Sequence, residues 1–585
     1  MAIKLSVVIP TYNRRHVLEF TLPSIFAQDL PPEDYEVIIV SDGSTDGTDE
    51  LLGNWKPKCA FHALEAPHRG PSGAHNVGIR AAVGDLVLLL DDDLIAGPDL
   101  FRQHCMAHSG SEPQVVHGPV YVSPNSAKTI IRHITEVYCE EQNRILTSEF
   151  ELRYPDGAGP SIFLLASIRN SSMPRESLLR CGGYDEQIWA AVDLELGIRL
   201  WKMGLPLHCR PAAVAYEFHE KSSENYLRKQ AKATGEGDLR ASRKHPEYRP
   251  NSGLASFANT RAGKKWLRSA LMRFPISPVP LLYLPLRLEK WFYEWTAVRE
   301  LFVHLFRAAV RITWLRGALA AAGSWEQLRS EFDRRAPGLV YCGVGPARPG
   351  VVSERAVSPE QFERQIRWLS RRGYTGIRAS DWLRWRREGT GLPEKPIIIT
   401  FDDAYADIAE YALPILKQYG FSAVVFVVTG QLGGTDNGDE ARGCGTLRLM
   451  SAEQIRYWAG QGIEFGAQGR THADLTQLST SELLAEVAGS KCDLSALLGS
   501  PVISFAYPYG AYNQVVQDVV HREFDLAFTK EEDVNYLRTD PYLLRRTAVG
   551  ATDSLREFAR HVRFEGLGTS GPRSFTSFCS QESES

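Results

Sequence analysis

The sequence predicts two α/β regions joined by a helical segment, and three observations carry that expectation. Short apolar runs at Leu5–Ile9, Tyr35–Val40 and Asp85–Leu90 alternate with stretches of helical period up to about residue 244, the pattern of parallel strands with crossover helices. A second series, Pro396–Phe401, Ser422–Val428 and Val502–Phe505, alternates with helix candidates at Ser358–Arg372 and Ala452–Gln461. Between the two series the texture changes to basic and aromatic. At 585 residues the chain is also longer than the ~250–300 residues one core can serve.

Composition narrows the class. A net charge of −4, with 43% apolar and 23% charged residues, describes an ordinary globular protein and excludes a chain-wide basic footprint for nucleic acid. Glycine and proline (48 and 33 residues) follow no Gly-x-y period, so fibrous readings fall away. The nine cysteines include no Cys-x-x-Cys pair, which argues against a disulfide framework or a zinc knuckle. The first apolar run is five residues long and stops at Pro10, too short for a signal-peptide core. Nowhere do eighteen uncharged apolar residues run together, and the nearest approach, Phe274–Leu286, holds four prolines. A cytoplasmic protein is expected.

In chain order, residues 1–245 form the first α/β region. Residues 245–258 are polar and rich in turn formers, and mark its end. The segment 246–337 is the connecting region, helical from about Leu286. Between Lys264 and Arg316 it carries ten Lys/Arg against three Glu, interleaved with aromatics such as Trp266, Trp291, Trp295 and Trp314. Two readings stand: a helix lying on the inner face of an anionic membrane, or an interdomain helix packed on its rings. Residues 338–566 form the second α/β region, and 567–585 a Ser-rich tail expected to be disordered.

The chemistry sits at strand ends. The strand Leu5–Ile9 runs into Pro10-Thr11-Tyr12-Asn13, and Val37–Val40 into Ser41-Asp42-Gly43-Ser44; in open α/β sheets such loops face one ligand crevice. Tyr12 can stack on a base and Asp42 can accept an imide N–H, although Asp-Gly-Ser also suits a plain turn. The apolar run Asp85–Leu90 delivers Asp91-Asp92-Asp93. Adjacent carboxylates repel unless neutralised; a hard cation such as Mg²⁺ or Mn²⁺ carrying a diphosphate would do so, and capping the next helix is the alternative. Asp193 starts a helix whose Leu194, Ile198 and Trp201 share a face, a place for a general base or for a cap.

In this order and spacing, residues 3–240 resemble the family 2 glycosyltransferases with the GT-A fold. The resemblance implies that Pro10, Tyr12 and Asp42 bind the nucleotide, that Asp91 lies beside the ribose and that Asp93 holds Mg²⁺ or Mn²⁺. It further implies Asn170 near the acceptor side, Asp193 as base and His219 near the metal; a core histidine is the other reading of His219. Val192 stands where the family has Glu, and Ser41 where an Asp often stands.

A second pair, Asp402-Asp403, ends the run Lys395–Phe401; His472 follows in Gly466–Leu475, and Phe505–Gly510 makes a sharp turn. Adjacent aspartates can divide labour between cation and proton, and such a turn can aim a backbone N–H at an oxyanion. Residues 338–552 resemble the polysaccharide deacetylases of carbohydrate esterase family 4, whose fold is a distorted (β/α) barrel. The resemblance implies Asp402 as base, Asp403 and His472 as ligands of Zn²⁺ or another divalent transition metal, and the Tyr509 N–H at the oxyanion. Gln468 falls on the family's other metal-ligand histidine, Cys342 and Ala506 replace a usual His and Arg, and Leu544-Arg545-Arg546 lies where a late catalytic histidine is usual.

The expected protein is therefore a bifunctional inverting glycosyltransferase with a glycan N-deacetylase domain. Its donor is a nucleotide diphosphate sugar, uridine-linked, and its acceptor a glycan or lipid-linked molecule; nucleic acid is not a partner. The metal of the second site is expected to be weakly bound. Two alternatives are a glycosyltransferase with a degenerate, glycan-gripping second domain, and a carbohydrate-binding scaffold without catalysis.

Overall fold

The computed structural model describes residues 3–110, 112–149, 168–218, 222–257, 279–346, 356–436 and 447–563. By contact these divide into two units, one of 3–252 with 279–325, the other of 253–257 with 326–563. His219, the first part of the basic aromatic stretch and the Ser-rich tail lie outside the described residues.

The strands of the first unit are β1 (Leu5–Thr11), β2 (Tyr35–Ser41), β3 (Ala60–Glu65), β4 (Leu86–Leu90), β5 (Leu94–Ala96), β6 (Val115–His117), β7 (Val120–Val122), β8 (Asn170–Pro174), β9 (Leu207–Cys209) and β10 (Ala215–Glu217). The main sheet runs β3-β2-β1-β4-β8-β6-β9, parallel from β3 to β4 and antiparallel across β8; β5, β10 and β7 form a small second sheet. Alternate residues of β1, β2 and β4 feed two cores: Val8, Ile38, Val40, Val87 and Leu89 on one face, and Val7, Ile9, Val37, Ile39, Leu88 and Leu90 on the other. A parallel sheet covered on both sides needs such continuous apolar runs, which is why they were legible.

The order of connection reverses at β1, and the register shows a gap there. β1 pairs with β2 as far as Thr11↔Ser41 but with β4 only as far as Val8↔Leu89. The carboxyl ends of β1 and β4 therefore part just before Pro10, which has no N–H to offer, and a crevice opens at the switch point.

The described helices of the basic stretch belong to this unit. The helix Thr296–Ala322 crosses Ala231–Lys244 at backbone contact: a Cβ on Gly235 would come within 1.9 Å of the Trp314 carbonyl, and one on Gly317 within 2.0 Å of that of Lys232. Buried Glu289 pins the preceding turn by accepting from Ile130 N (2.8 Å) and Ser223 Oγ (2.5 Å), at the starts of two other helices. Among the described residues no helix is long and apolar enough to cross a membrane.

The second unit contains β11 (Arg335–Tyr341), β12 (Thr375–Ile377), β13 (Pro396–Phe401), β14 (Val424–Val427), β15 (Thr435–Asp436), β16 (Leu447–Arg448), β17 (Glu464–Ala467), β18 (Ser504–Ala506), β19 (Leu526–Phe528), β20 (Val534–Tyr536) and β21 (Thr547–Ala548). Neighbours from β11 through β13, β14, β17, β18 and β19 are parallel. The segment 544–548 closes the ring, with Leu544 bridging Phe528 of β19 and β21 pairing with β11. The result is an irregular (β/α) barrel, mixed α/β like the first unit. Its core gathers Leu339, Tyr341, Ile397, Ile399, Phe401, Val425, Val427 and Phe465.

Candidate active sites

In the first unit, each strand end contributes one wall of the crevice. Asn13, in a left-handed conformation (φ 51°), receives the Thr45 N–H on Oδ1 at 2.7 Å and donates its own N–H to Ser44 Oγ at 3.0 Å, locking the loop after β1 to the loop after β2. Asp42 is buried, and its two oxygens accept the N–H groups of Arg69 and Gly70, both at 2.9 Å. His68 Nδ1 lies 2.8 Å from the same carboxylate. Tyr12, 45% exposed, stacks on His68 with ring centroids 4.4 Å apart, and Trp189 meets His68 edge-on at 6.2 Å. An open aromatic wall of Tyr12, His68 and Trp189 thus stands over Asp42. Sequence reasoning found Tyr12 and Asp42 but missed His68 and Trp189, whose only local signal was an aromatic ring in a loop.

The acidic centre joins residues a hundred positions apart. Burial pushes the Asp91 carboxyl well above the usual range, and the charges of Asp93 and Asp193 push it further, with Arg169 opposing. The β4 motif and the candidate base therefore share one cluster. Arg14 neutralises one side, with Nη2 3.1 Å from Asp93 Oδ2 and 3.7 Å from Asp92 Oδ1. Asp92 also takes the Thr11 hydroxyl at 2.7 Å. On the other side the partly buried Arg169 pairs with buried Glu217. Asp193 sits in the first turn of the helix Val192–Lys202, behind the left-handed Ala191, and accepts the Tyr184 hydroxyl at 3.1 Å. Burial raises its pKa, while that hydrogen bond and Arg169 pull the other way, and a carboxylate made more basic is a better proton acceptor near neutrality.

Asn170 is fully buried in β8 opposite Leu90, where Oδ1 faces His104 Nε2 at 3.1 Å and Nδ2 donates to the Ala213 carbonyl at 3.0 Å, so its amide is bonded within the sheet. The half-buried Asp91 and buried Asp93, held together against their own repulsion, make an all-oxygen donor set that fits a hard cation such as Mg²⁺ or Mn²⁺.

In the second unit, β13 ends in Asp402 and Asp403. Arg546, fully buried, grips Asp402 with Nη1–Oδ1 2.7 Å and Nη2–Oδ2 3.3 Å, and spends its other donors on Thr400 Oγ1 (3.1 Å) and the Thr529 carbonyl (3.0 Å). Phe426 and Phe528 flank the guanidinium at 5.4 and 5.6 Å. Asp403 turns into the left-handed region (φ 64°), as do Ala404, His472 and Tyr509. Among the described residues, every non-glycine with positive φ is one of these four or Asn13 or Ala191, so backbone strain is confined to the two candidate sites, as expected where function holds it in place.

Asp403, Gln468, His472 and Tyr509 lie side by side. His472 Nε2 lies 3.2 Å from Asp403 Oδ1, and its ring packs against Tyr509 at 4.5 Å. Gln468, at the end of β17, accepts the Asp403 N–H on Oε1 at 3.0 Å and turns Nε2 toward His472 Nε2 at 3.2 Å. Three protein ligands are usual for zinc in catalytic sites. Here two are present and the third position offers an amide NH₂, so the residues do not fit a three-ligand zinc site.

Two α/β folds, each ending a buried strand in adjacent carboxylates, define a two-domain chain. Residues 6–168 match the family described as glycosyl transferase family 2, and residues 389–523 match the polysaccharide deacetylase family. The chain thus carries a family 2 glycosyltransferase domain followed by a polysaccharide deacetylase domain. It is similar to validoxylamine A glucosyltransferase of Streptomyces hygroscopicus subsp. limoneus, 30% identical over 239 residues, which cover 38% of this chain and 53% of that one. It also resembles chondroitin synthase of Escherichia coli, 27% identical over 244 residues, covering 38% and 35%. Among solved structures, the Streptococcus pyogenes deacetylase PplD in complex with acetate matches at 24% identity and a TM-score of 0.35, over 39% of this chain and 98% of that one. The chain spans only 53% and 57% of the two validoxylamine A glucosyltransferases.

Proposed function

We propose that the first unit transfers a sugar from a nucleotide diphosphate donor, uridine-linked, to a hydroxyl acceptor with inversion. The observation that carries this is the acidic strand end itself, where Arg14 faces Asp93 at 3.1 Å and Asp92 at 3.7 Å and where the charges of Asp93 and Asp193 both raise the Asp91 carboxyl. The aromatic wall of Tyr12 and His68 receives the base. Asp193 takes the acceptor proton as the hydroxyl attacks, and Tyr184 orients its carboxylate. Asp93, with Asp91 beside it, would hold Mg²⁺ or Mn²⁺, which supplies positive charge for the departing diphosphate. Arg14 moves its charge between these carboxylates and the donor phosphates. The test is calorimetry with uridine diphosphate and Mn²⁺, followed by a nucleotide-sugar screen read by mass spectrometry. Binding that is lost in Asp93→Asn supports the reading; no nucleotide binding at all defeats it and favours a scaffold.

The second unit engages the glycan that the first one builds. A shared chain raises the effective concentration of one site's product at the other, and the similarity of the first domain to glycosyltransferases supports a common glycan.

The acceptor is lipid-linked, and the chain works on the inner face of an anionic membrane. Support comes from the connecting helices, where Leu281, Leu284, Leu288, Trp291, Trp295, Leu301 and Leu305 are exposed, Trp291 to 83% and Trp295 to 67%. Exposed Arg287 and Lys290 stand among them. Apolar rings beside basic groups are what a headgroup region accepts.

A further inference from the structure

We infer that Gln468 has converted the second unit's metal cluster into a metal-free glycan-binding site. The inference deepens the proposal that this unit engages the glycan, and rests on it.

The orientation of the Gln468 amide is fixed by a neighbour that cannot change. A backbone N–H is always a donor, and that of Asp403 points at Gln468 from 3.0 Å. The atom facing it must be the carbonyl oxygen; a flipped amide would set NH₂ against N–H. The other end of the amide is therefore NH₂, and it lies 3.2 Å from His472 Nε2. His472 Nε2 is also the nitrogen that faces Asp403 Oδ1, at 3.2 Å. The His472 nitrogen that would serve a cation is met instead by the positive end of an amide dipole. The amide oxygen that could have served as a ligand is turned away and already accepting. Gln468 is buried, and its backbone N–H is bonded to the Val427 carbonyl at 3.0 Å, so the side chain has little freedom to swing out.

The loop that carries His472 is kept in order by protein groups alone. Glu486 holds the loop after Gln468 by accepting the N–H groups of Arg470 (2.8 Å) and Thr471 (3.0 Å) and the Thr471 hydroxyl (2.9 Å). The left-handed backbone at Asp403, Ala404, His472 and Tyr509 is a standing cost that a decayed site would shed. What the cluster presents to solvent is the Tyr509 ring, 39% exposed, beside the partly exposed His472 and Asp403. A ring face next to a carboxylate and an imidazole suits a neutral pyranose, whose C–H face stacks while its hydroxyls donate and accept. The ligand class is a neutral sugar residue of a glycan chain.

The experiment uses the full chain, stripped with EDTA and dialysed. Zinc uptake is measured by mass spectrometry, and chitotetraose binding by calorimetry with EDTA present. Wild type and Asp403→Asn are expected to take up the same amount of zinc, so that any zinc held by the first unit cancels. Gln468→His is expected to gain one equivalent, which is lost again when Asp403→Asn is added. Chitotetraose is expected to bind without metal, at least tenfold more weakly in Tyr509→Ala. Zinc uptake by wild type that falls by one equivalent in Asp403→Asn would overturn the inference, as would acetate release from chitotetraose that Asp403→Asn abolishes. No gain in Gln468→His, or no binding of chitotetraose in EDTA, also overturns it. Donor turnover by the same preparation reads the first unit alone, so failure of the glycosyl-transfer proposal would show there and leave the zinc measurements standing.

Discussion

Arg546 and Asp402, 144 positions apart, form a two-point ion pair in the interior of the second unit, at 2.7 and 3.3 Å. Both partners are almost entirely shielded from water. Arg546 lies on the segment that closes the barrel, between Leu544, which bridges β19, and β21, which pairs with β11. The pair therefore ties ring closure to the strand end that carries the acidic pair.

Removing one partner of such a pair strands a buried charge. Arg546→Ala is expected to destabilise the second unit by about 3–5 kcal/mol, while Asp402→Leu combined with Arg546→Met should recover most of that loss. Denaturant unfolding of these variants beside wild type checks it; equal losses in the single and double variants would mean that the pair is not coupled.

The first unit should weaken in acid through its buried histidines. Burial lowers His104 to about 4 and His75 to about 4, from an ordinary 6.5. A group whose folded pKa is depressed contributes stability that is fully present above its unfolded pKa and is lost as pH falls through the folded one. The loss should therefore begin near pH 6.5 and run down through about pH 4, amounting to about 3 kcal/mol per histidine. Chemical unfolding as a function of pH, compared between wild type and His104→Gln, should show a shallower slope in the variant.

Close crossing of two helices depends on Gly317. A Cβ there would stand 2.0 Å from the Lys232 carbonyl, so Gly317→Leu must push the helix Thr296–Ala322 off its partner. The expected cost is about 1–3 kcal/mol or more, read as a lower Tm, whereas Ala320→Leu on the exposed side of the same helix should change little.

Proton transfer by Asp193 should separate from donor binding. Asp193→Asn is expected to lower kcat by about 10²–10⁴-fold with nucleotide affinity retained, since the proposed mechanism assigns Asp193 to the acceptor hydroxyl. Steady-state kinetics beside calorimetry distinguish this from collapse of the crevice, which would abolish both.

Membrane contact should depend on the exposed rings. Trp291→Ala with Trp295→Ala is expected to reduce flotation with anionic liposomes without lowering Tm, because both rings are solvent-exposed. Equal flotation with neutral and anionic vesicles would count against an electrostatic contribution.

The two sites were legible to different depths, for physical reasons. Asp91–Asp93 and Asp402-Asp403 stood out because a buried parallel strand must be an apolar run, and a carboxylate at its end is a break in that run. Asn170 looked equally distinctive, yet β8 turns it inward to His104 and Ala213, and strand facing is set by a register that only the neighbouring strands impose. Leu544-Arg545-Arg546 drew notice only for standing where a histidine is usual; nothing local marked Arg546 as buried, since an arginine beside another arginine reads as surface until the ring closes over it.

By itself the sequence determined two α/β domains, their order, and the acidic strand ends around which each is built, because hydrophobic period and strand termination are local properties. Tertiary structure alone decided which charges answer those carboxylates: Arg14 and Arg169 in the first unit and Arg546 in the second. It also decided which way the Gln468 amide faces. Both depend on groups brought together through space, and a hydrogen bond or ion pair acts only over a few ångströms, whatever the separation along the chain.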